Sequence, residues 1–165
     1  MNGVARIKRL IPHRYPILLV DRVSAVEVGR TLVAHKAVTV AEPCYRHLGD
    51  DAAEEDYAYP ISLLLESWAQ AAVLLICWEQ PNPDVLAGKV ELAAGIKGVE
   101  LGGPVFPGDV LEHRAEIHRL VDDAAVVGGA SYVGGRKVLE VAQFTAALRD
   151  SSVLVRDKPL TGAPR

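Results

Sequence analysis

Ser62, Glu66 and Gln70 stand four residues apart inside YPISLLLESWAQAAVLLICWE, the run from Tyr59 to Glu79 that is the longest continuous apolar stretch of the sequence. On a helix, residues at that spacing share one face. A hydroxyl, a carboxyl group and an amide therefore form a polar stripe on an otherwise apolar cylinder. Carboxyl groups are seldom buried without a partner or a task. Glu66 is either a structural carboxylate bonded to loop amides or a group that gives or takes a proton, and we expect the second. Five histidines are the other side chains that exchange protons near neutral pH. His47 lies in the loop EPCYRHLGD, while His13 is bracketed by Pro12 and Pro16 in PHRYP, a position suited to bracing a loop against a strand. His35, His113 and His118 fall in strand-like segments, as surface or hydrogen-bonded core residues. Cys44 and His47 have no further ligands at zinc spacing, so no metal site is expected. Cys44 and Cys77, the only cysteines, read as free thiols.

These groups need a scaffold. The apolar run is expected to be a helix with Pro60 in its first turn, an interior of leucine and alanine, and a stop at Gln80-Pro81-Asn82-Pro83. Its apolar residues point in every direction, which calls for cover on most sides. Before it, Ile7 to Leu10 reads as a helical turn. ILLVDRVSAVEV from Ile17 and TLVAHKAVTV from Thr31 read as strands joined by Gly29-Arg30, followed by a loop from Ala41 to Ala58. After it, Val85 to Leu101 reads as a long strand broken by glycine, and PVFPGD as a turn. VLEHRAEIHRLV alternates, with Leu111, Ala115, Ile117 and Val121 on the inner face of a half-buried antiparallel strand. Turns at Asp122-Asp123 and Gly134-Gly135 then lead through AAVVGGASYVG to a last strand, Lys137 to Leu148.

The expected class is α+β: an antiparallel sheet wrapped around one long central helix. Residues 1–149 would form one domain and 150–165 a C-terminal tail. Such a sheet has too few strands to close, so two units are expected to pair. With 50% apolar residues and a net charge of -3, nothing in the composition favours nucleic acid or anionic lipid. The apolar run falls short of the roughly 20 residues of a membrane span and carries Glu66 near its centre, so a core helix is expected. MNGVARIKRL lacks the pattern of a signal peptide, which points to a cytoplasmic location.

In order along the chain, IKRLIPHRYPILLVDRV, VTVAEPCYRH, YPISLLLESWAQA, GGPVFPGDVLEHRAEI and GGASYVGGRKVLEVAQFTAAL resemble the successive blocks of the 3-hydroxyacyl-acyl carrier protein dehydratases of the FabZ/FabA type. The resemblance extends to about Leu148 and implies a hot-dog fold that pairs into a double hot-dog dimer. It implies dehydration of a 3-hydroxyacyl thioester to the trans-2-enoyl thioester, in fatty-acid or polyketide-type biosynthesis. The substrate rides on the phosphopantetheine arm of an acyl carrier protein, and no cofactor is implied. In that family a loop histidine and a helix carboxylate from opposite subunits handle the protons. These correspond to His47 and Glu66, with Gln70 one turn on holding the carboxylate and His13 in a supporting place. The register is firm through Pro60 and Glu66-Ser67-Trp68-Ala69-Gln70.

Two departures stand out. Where the family has Gly-His-Phe-Pro, this chain has Arg46-His47-Leu48-Gly49, and a longer segment separates it from the helix. The family's glycine after the helix-opening proline presents its N–H to the thioester carbonyl. Here that position is Ile61, which keeps the N–H but crowds the approach. The inserted run GDDAAEEDYAY is either a solvated acidic loop or a lid over the acyl site. Basic residues such as Arg14, Arg46, Lys97, Arg114, Arg119 or Arg136 could dock an acidic carrier. Three readings stay open. One is an active dehydratase, homodimeric or larger. The second is a dehydratase-like subunit of little activity that binds an acyl carrier or completes a related partner as a heterodimer. The third is a hot-dog thioesterase, against which PHRYP and PVFPGD speak.

Overall fold

The computed structural model describes residues 2–84, 89–121 and 124–150. In chain order the elements are β1 (Asn2–Gly3), α1 (Val4–Leu10), β2 (Arg22–Glu27), β3 (Thr31–Ala37), α2 (Ile61–Ile76), β4 (Lys89–Leu101), β5 (Val110–Val121), β6 (Ala124–Val133) and β7 (Arg136–Asp150). The seven strands form one antiparallel sheet in the order β1-β2-β3-β5-β6-β7-β4. After α2 the chain crosses to the far edge as β4, and the meander β5-β6-β7 fills the gap back to β3. One long helix against an antiparallel sheet is the α+β hot-dog arrangement expected from the sequence. Gly29, at φ +72°, makes the β2–β3 turn, where Arg30 N–H donates to the Glu27 carbonyl at 2.9 Å. Gly129, at φ +152°, lets β5 and β6 close together, since a Cβ there would lie 2.0 Å from the Arg114 carbonyl oxygen.

Packing follows the apolar pattern. Trp68 is fully buried, meets Phe144 edge-on at 6.1 Å, and donates its indole N–H to the Arg114 carbonyl at 3.0 Å. Leu64, Ala71, Leu74 and Leu75 share one core with Leu32, Leu111, Val127 and Leu139 from the sheet. Each large side chain sealed there contributes roughly 1.5–3 kcal/mol.

The helix is shorter than expected. Pro60 caps it from outside, at ψ 130°, and Cys77 ends it. The turn beyond folds back on α1, with Arg6 over the Trp78 ring and Asn82 N–H bonded to the Leu10 carbonyl. Nor is α2 covered on most sides within the chain: Ile61 and Ser62 are exposed, and Leu63, Leu65, Ala69 and Val73 are half-buried. The strand expected from Ile17 begins only at Arg22, because residues 14–19 turn and are tied to α2 instead of to the sheet. The register shifts between Ile117 and Arg119, and the alternation of β5 ends there: His118 to Val121 are all exposed, so Val121 is not on a buried inner face. The loop from Ala41 to Ala58 contains two short 3-10 turns, Pro43–Tyr45 and Glu54–Tyr57. The start of the strand expected at Val85, the Asp122-Asp123 turn and the tail beyond residue 150 lie outside the described residues.

Candidate active site

The stripe read from the sequence is intact. Ser62, Glu66 and Gln70 face a cavity of about 320 Å³ between α2, the loop after α1, and strands β4 and β7. Its other walls are apolar, from Pro12, Leu65, Ala69, Val73, Leu92, Ala93, Ile96, Phe144 and Ala146, with His13 as the one further polar side chain.

Gln70 organises the site. It is 1% exposed, and its amide nitrogen donates to the Ile17 carbonyl at 2.6 Å and to Glu66 Oε1 at 2.8 Å. Its oxygen accepts the Leu19 N–H at 2.9 Å. One side chain thus fixes the carboxylate and straps the loop before β2 to the helix. His13 stands on that loop with Nε2 3.5 Å from Glu66 Oε1, an ion-pair distance when the ring is protonated but long for a hydrogen bond. Arg14 sets the loop's path by binding the carbonyls of Lys8, Ile11 and His13. The Glu66 side chain is 35% exposed, toward the cavity and not sealed in the core.

Within one chain His47 is not part of this cluster. It is exposed after the Pro43–Tyr45 turn, its Nε2 accepts the Arg46 Nε–H at 3.0 Å, and it does not line the cavity. Ile61, 56% exposed, occupies the first helical position. The first intrahelical donors are Leu63 and Leu64, both to the Pro60 carbonyl, so the N–H groups of Ile61 and Ser62 precede the ladder. The acidic insert forms the Glu54–Tyr57 turn and anchors through Tyr57 against Tyr45 at 5.9 Å, but none of it lines this cavity. Among the described residues no cluster of three metal-binding side chains occurs, and Cys44 and Cys77 are not joined to each other in a disulfide.

A second polar cluster went unnoticed in the sequence. Lys36, 5% exposed on the inner face of β3, reaches Glu42 at 2.9 Å and lies over the Tyr59 ring. His113 is fully buried on β5, with Nδ1 2.8 Å from Ser131 Oγ, and burial pushes its imidazole down to about 3. The available signal was parity: Lys36 follows Leu32 and Ala34 on one face, and His113 lies between Leu111 and Ala115.

The arrangement is a helix carboxylate held by an amide beside a mostly apolar cavity of a hot-dog fold, open to a ligand. Residues 11–142 match the family described as the FabA-like domain, and the chain belongs to that family. It is 33% identical, over 91% of its length and 99% of the relative's, to the 3-hydroxyacyl-[acyl-carrier-protein] dehydratase FabZ of Campylobacter fetus. It is 40% identical to the enzyme of that name from Anaeromyxobacter dehalogenans, over 89% of this chain and 90% of the relative. Among solved structures, a chain of the dehydratase heterocomplex ApeI:P from Xenorhabdus doucetiae superposes with a TM-score of 0.72 at 15% identity, covering 92% of this chain and 97% of that one. A hypothetical thioesterase with coenzyme A from Streptococcus pneumoniae superposes at 0.54 and 12% identity, over 78% and 85%. At such identities these two speak for the fold alone.

Proposed function

We propose that this chain dehydrates 3-hydroxyacyl thioesters borne on an acyl carrier protein to trans-2-enoyl thioesters, as part of fatty-acid or polyketide-type assembly in the cytoplasm. The observation that carries this reading is Glu66, oriented by Gln70 in an apolar cavity of a FabA-like fold. A base takes the C2 proton, the freed electron pair forms the C2–C3 double bond, and the C3–O bond breaks. Glu66 gives its proton to the departing hydroxyl, which leaves as water. The thioester itself acidifies C2, so the reaction calls for no cofactor.

His47 is the base in this reading and comes from a second subunit. Two features support the pairing. The outer edge of β4 has no strand partner among the described residues, and it exposes Ile96, Val99 and Leu101. Ile96 also lines the cavity, so a subunit laid along β4 would cover the open side of the site. The Arg46–His47 contact and the isoleucine at position 61 favour a second reading, in which the chain acts only beside a related dehydratase subunit.

The test follows loss of water by mass from a carrier-bound 3-hydroxyacyl thioester, with wild type, Glu66→Gln and His47→Ala. Loss of about 1000-fold or more in both variants is the outcome expected for two proton-transfer groups. Activity retained by His47→Ala would assign the base elsewhere. An inert wild type that becomes active when a related dehydratase is added would establish the second reading.

A further inference from the structure

Of the polar side chains that line the cavity, one has no partner among the described residues. The Gln70 amide is committed to Ile17, Leu19 and Glu66. His13 stands beside Glu66. Ser62 is exposed to the cavity, and its hydroxyl bonds to nothing among the described residues. The other described serines are all engaged: Ser24 with His35 and Val33, Ser67 with the Leu64 carbonyl, and Ser131 with His113. A serine in a helix usually finds a carbonyl in the preceding turn. Ser62 stands in the second helical position, where no such turn exists.

Resting on the dehydratase reading, we propose that the Ser62 hydroxyl donates a hydrogen bond to the thioester carbonyl oxygen of the substrate. Four residues along a helix advance about 6 Å, so Ser62 and Glu66 form a pair of polar groups on one wall. A 3-hydroxyacyl thioester carries its two oxygens on carbons separated by a single methylene. With its hydroxyl at Glu66, its carbonyl falls toward the helix N-terminus, where Ser62 lies. When the C2 proton leaves, negative charge gathers on that carbonyl oxygen, and a donor already aimed at it acts most strongly then. The unsatisfied N–H groups of the first turn add a favourable field. Ile61 favours a side-chain donor here. Its branched side chain stands at the position whose backbone N–H would otherwise be approached closely, and a hydroxyl on the next residue reaches past the main chain.

The test compares full-length wild type, Ser62→Ala and Ser62→Thr in binding a short-chain 3-hydroxyacyl N-acetylcysteamine thioester and its thioether, in which methylene replaces the carbonyl. Wild type and Ser62→Thr should bind the thioester alike and Ser62→Ala about tenfold more weakly, with the thioether bound equally by all three. The carbonyl stretch of bound thioester should lie at lower frequency in wild type and Ser62→Thr than in Ser62→Ala. In turnover, kcat of Ser62→Ala should fall by about 10–100-fold with KM changed less. Equal weakening of both ligands, or of neither, overturns the assignment. If wild type discriminates thioester from thioether through Ser62 yet turns over no substrate, alone or with a related subunit, the dehydratase reading falls and the hydrogen bond stands. If wild type binds neither ligand, both fall.

Discussion

Two clusters of polar side chains interrupt the same core, and one is far more open to solvent than the other. Glu66 is one-third exposed beside a cavity, with one oxygen held by an amide that has no charge to gain or lose. Lys36 and Glu42 are a charge pair at 6% and 12% side-chain exposure, and His113 is sealed completely. The sealed cluster answers its charges internally, so its members hold the sheet and the segment before α2 in place. The open cluster leaves its carboxylate accessible to a ligand. Under the proposed function, access combined with a fixed orientation, and not burial alone, is what sets the reacting cluster apart.

The contrast can be broken most sharply at Glu66. Glu66→Gln should cost at least about 1000-fold in dehydration rate, while the thermal midpoint moves by no more than a few degrees. Lys36→Met should do the opposite. It removes the counter-charge of the Glu42 carboxylate at 12% exposure and leaves it the Thr39 N–H, and urea unfolding should show a loss of about 3 kcal/mol, with turnover per folded molecule preserved. Gln70→Leu falls between the two regimes, because this residue serves both. It removes three hydrogen bonds and leaves the Leu19 N–H without its acceptor, so stability should drop by about 2 kcal/mol. Activity should drop with it, by about tenfold, as Glu66 loses its orientation.

The smallest effect concerns pH. The folded value of His113, about 3, lies below the ordinary 6.5, through burial first and then the nearby charges of Lys36 and His35. On acidification the unfolded chain therefore takes up a proton before the folded chain does. The stability due to the neutral ring is complete above about pH 6.5 and declines as pH falls toward 3, with a limiting slope of about 1.4 kcal/mol per pH unit. His113→Leu should flatten that decline relative to wild type in urea titrations at pH 7 and pH 5. Parallel declines would show that the ring is not held neutral.

The sequence made α2 and its stripe legible because a four-residue spacing survives any packing, and the β2–β3 hairpin legible because Gly29 announces its turn. It was less informative where a tertiary bond overrides a local preference. Ile17 to Val20 has the composition of a strand, yet Gln70, far along the chain, claims its backbone groups. The cavity's far wall could not be read at all, since Leu92 and Ile96 come beside it only through the crossing of β4 to the sheet edge, and Phe144 and Ala146 come from β7, the neighbour of β4 in the sheet but distant from α2 in sequence. Lys36 and His113 were obscured by residue type: a lysine and a histidine in alternating strands suggest solvent, and only their parity with leucine and alanine neighbours says otherwise.

The bond from the Leu19 amide to Gln70 turns one backbone proton into a built-in reporter. Its exchange with deuterated solvent requires its bond to the carboxamide that also grips Glu66 to open, so the exchange lifetime of a single loop amide reports how firmly the loop is strapped to the residue that orients Glu66. Occupation of the cavity should lengthen that lifetime, giving a spectroscopic clock for the site that needs no turnover.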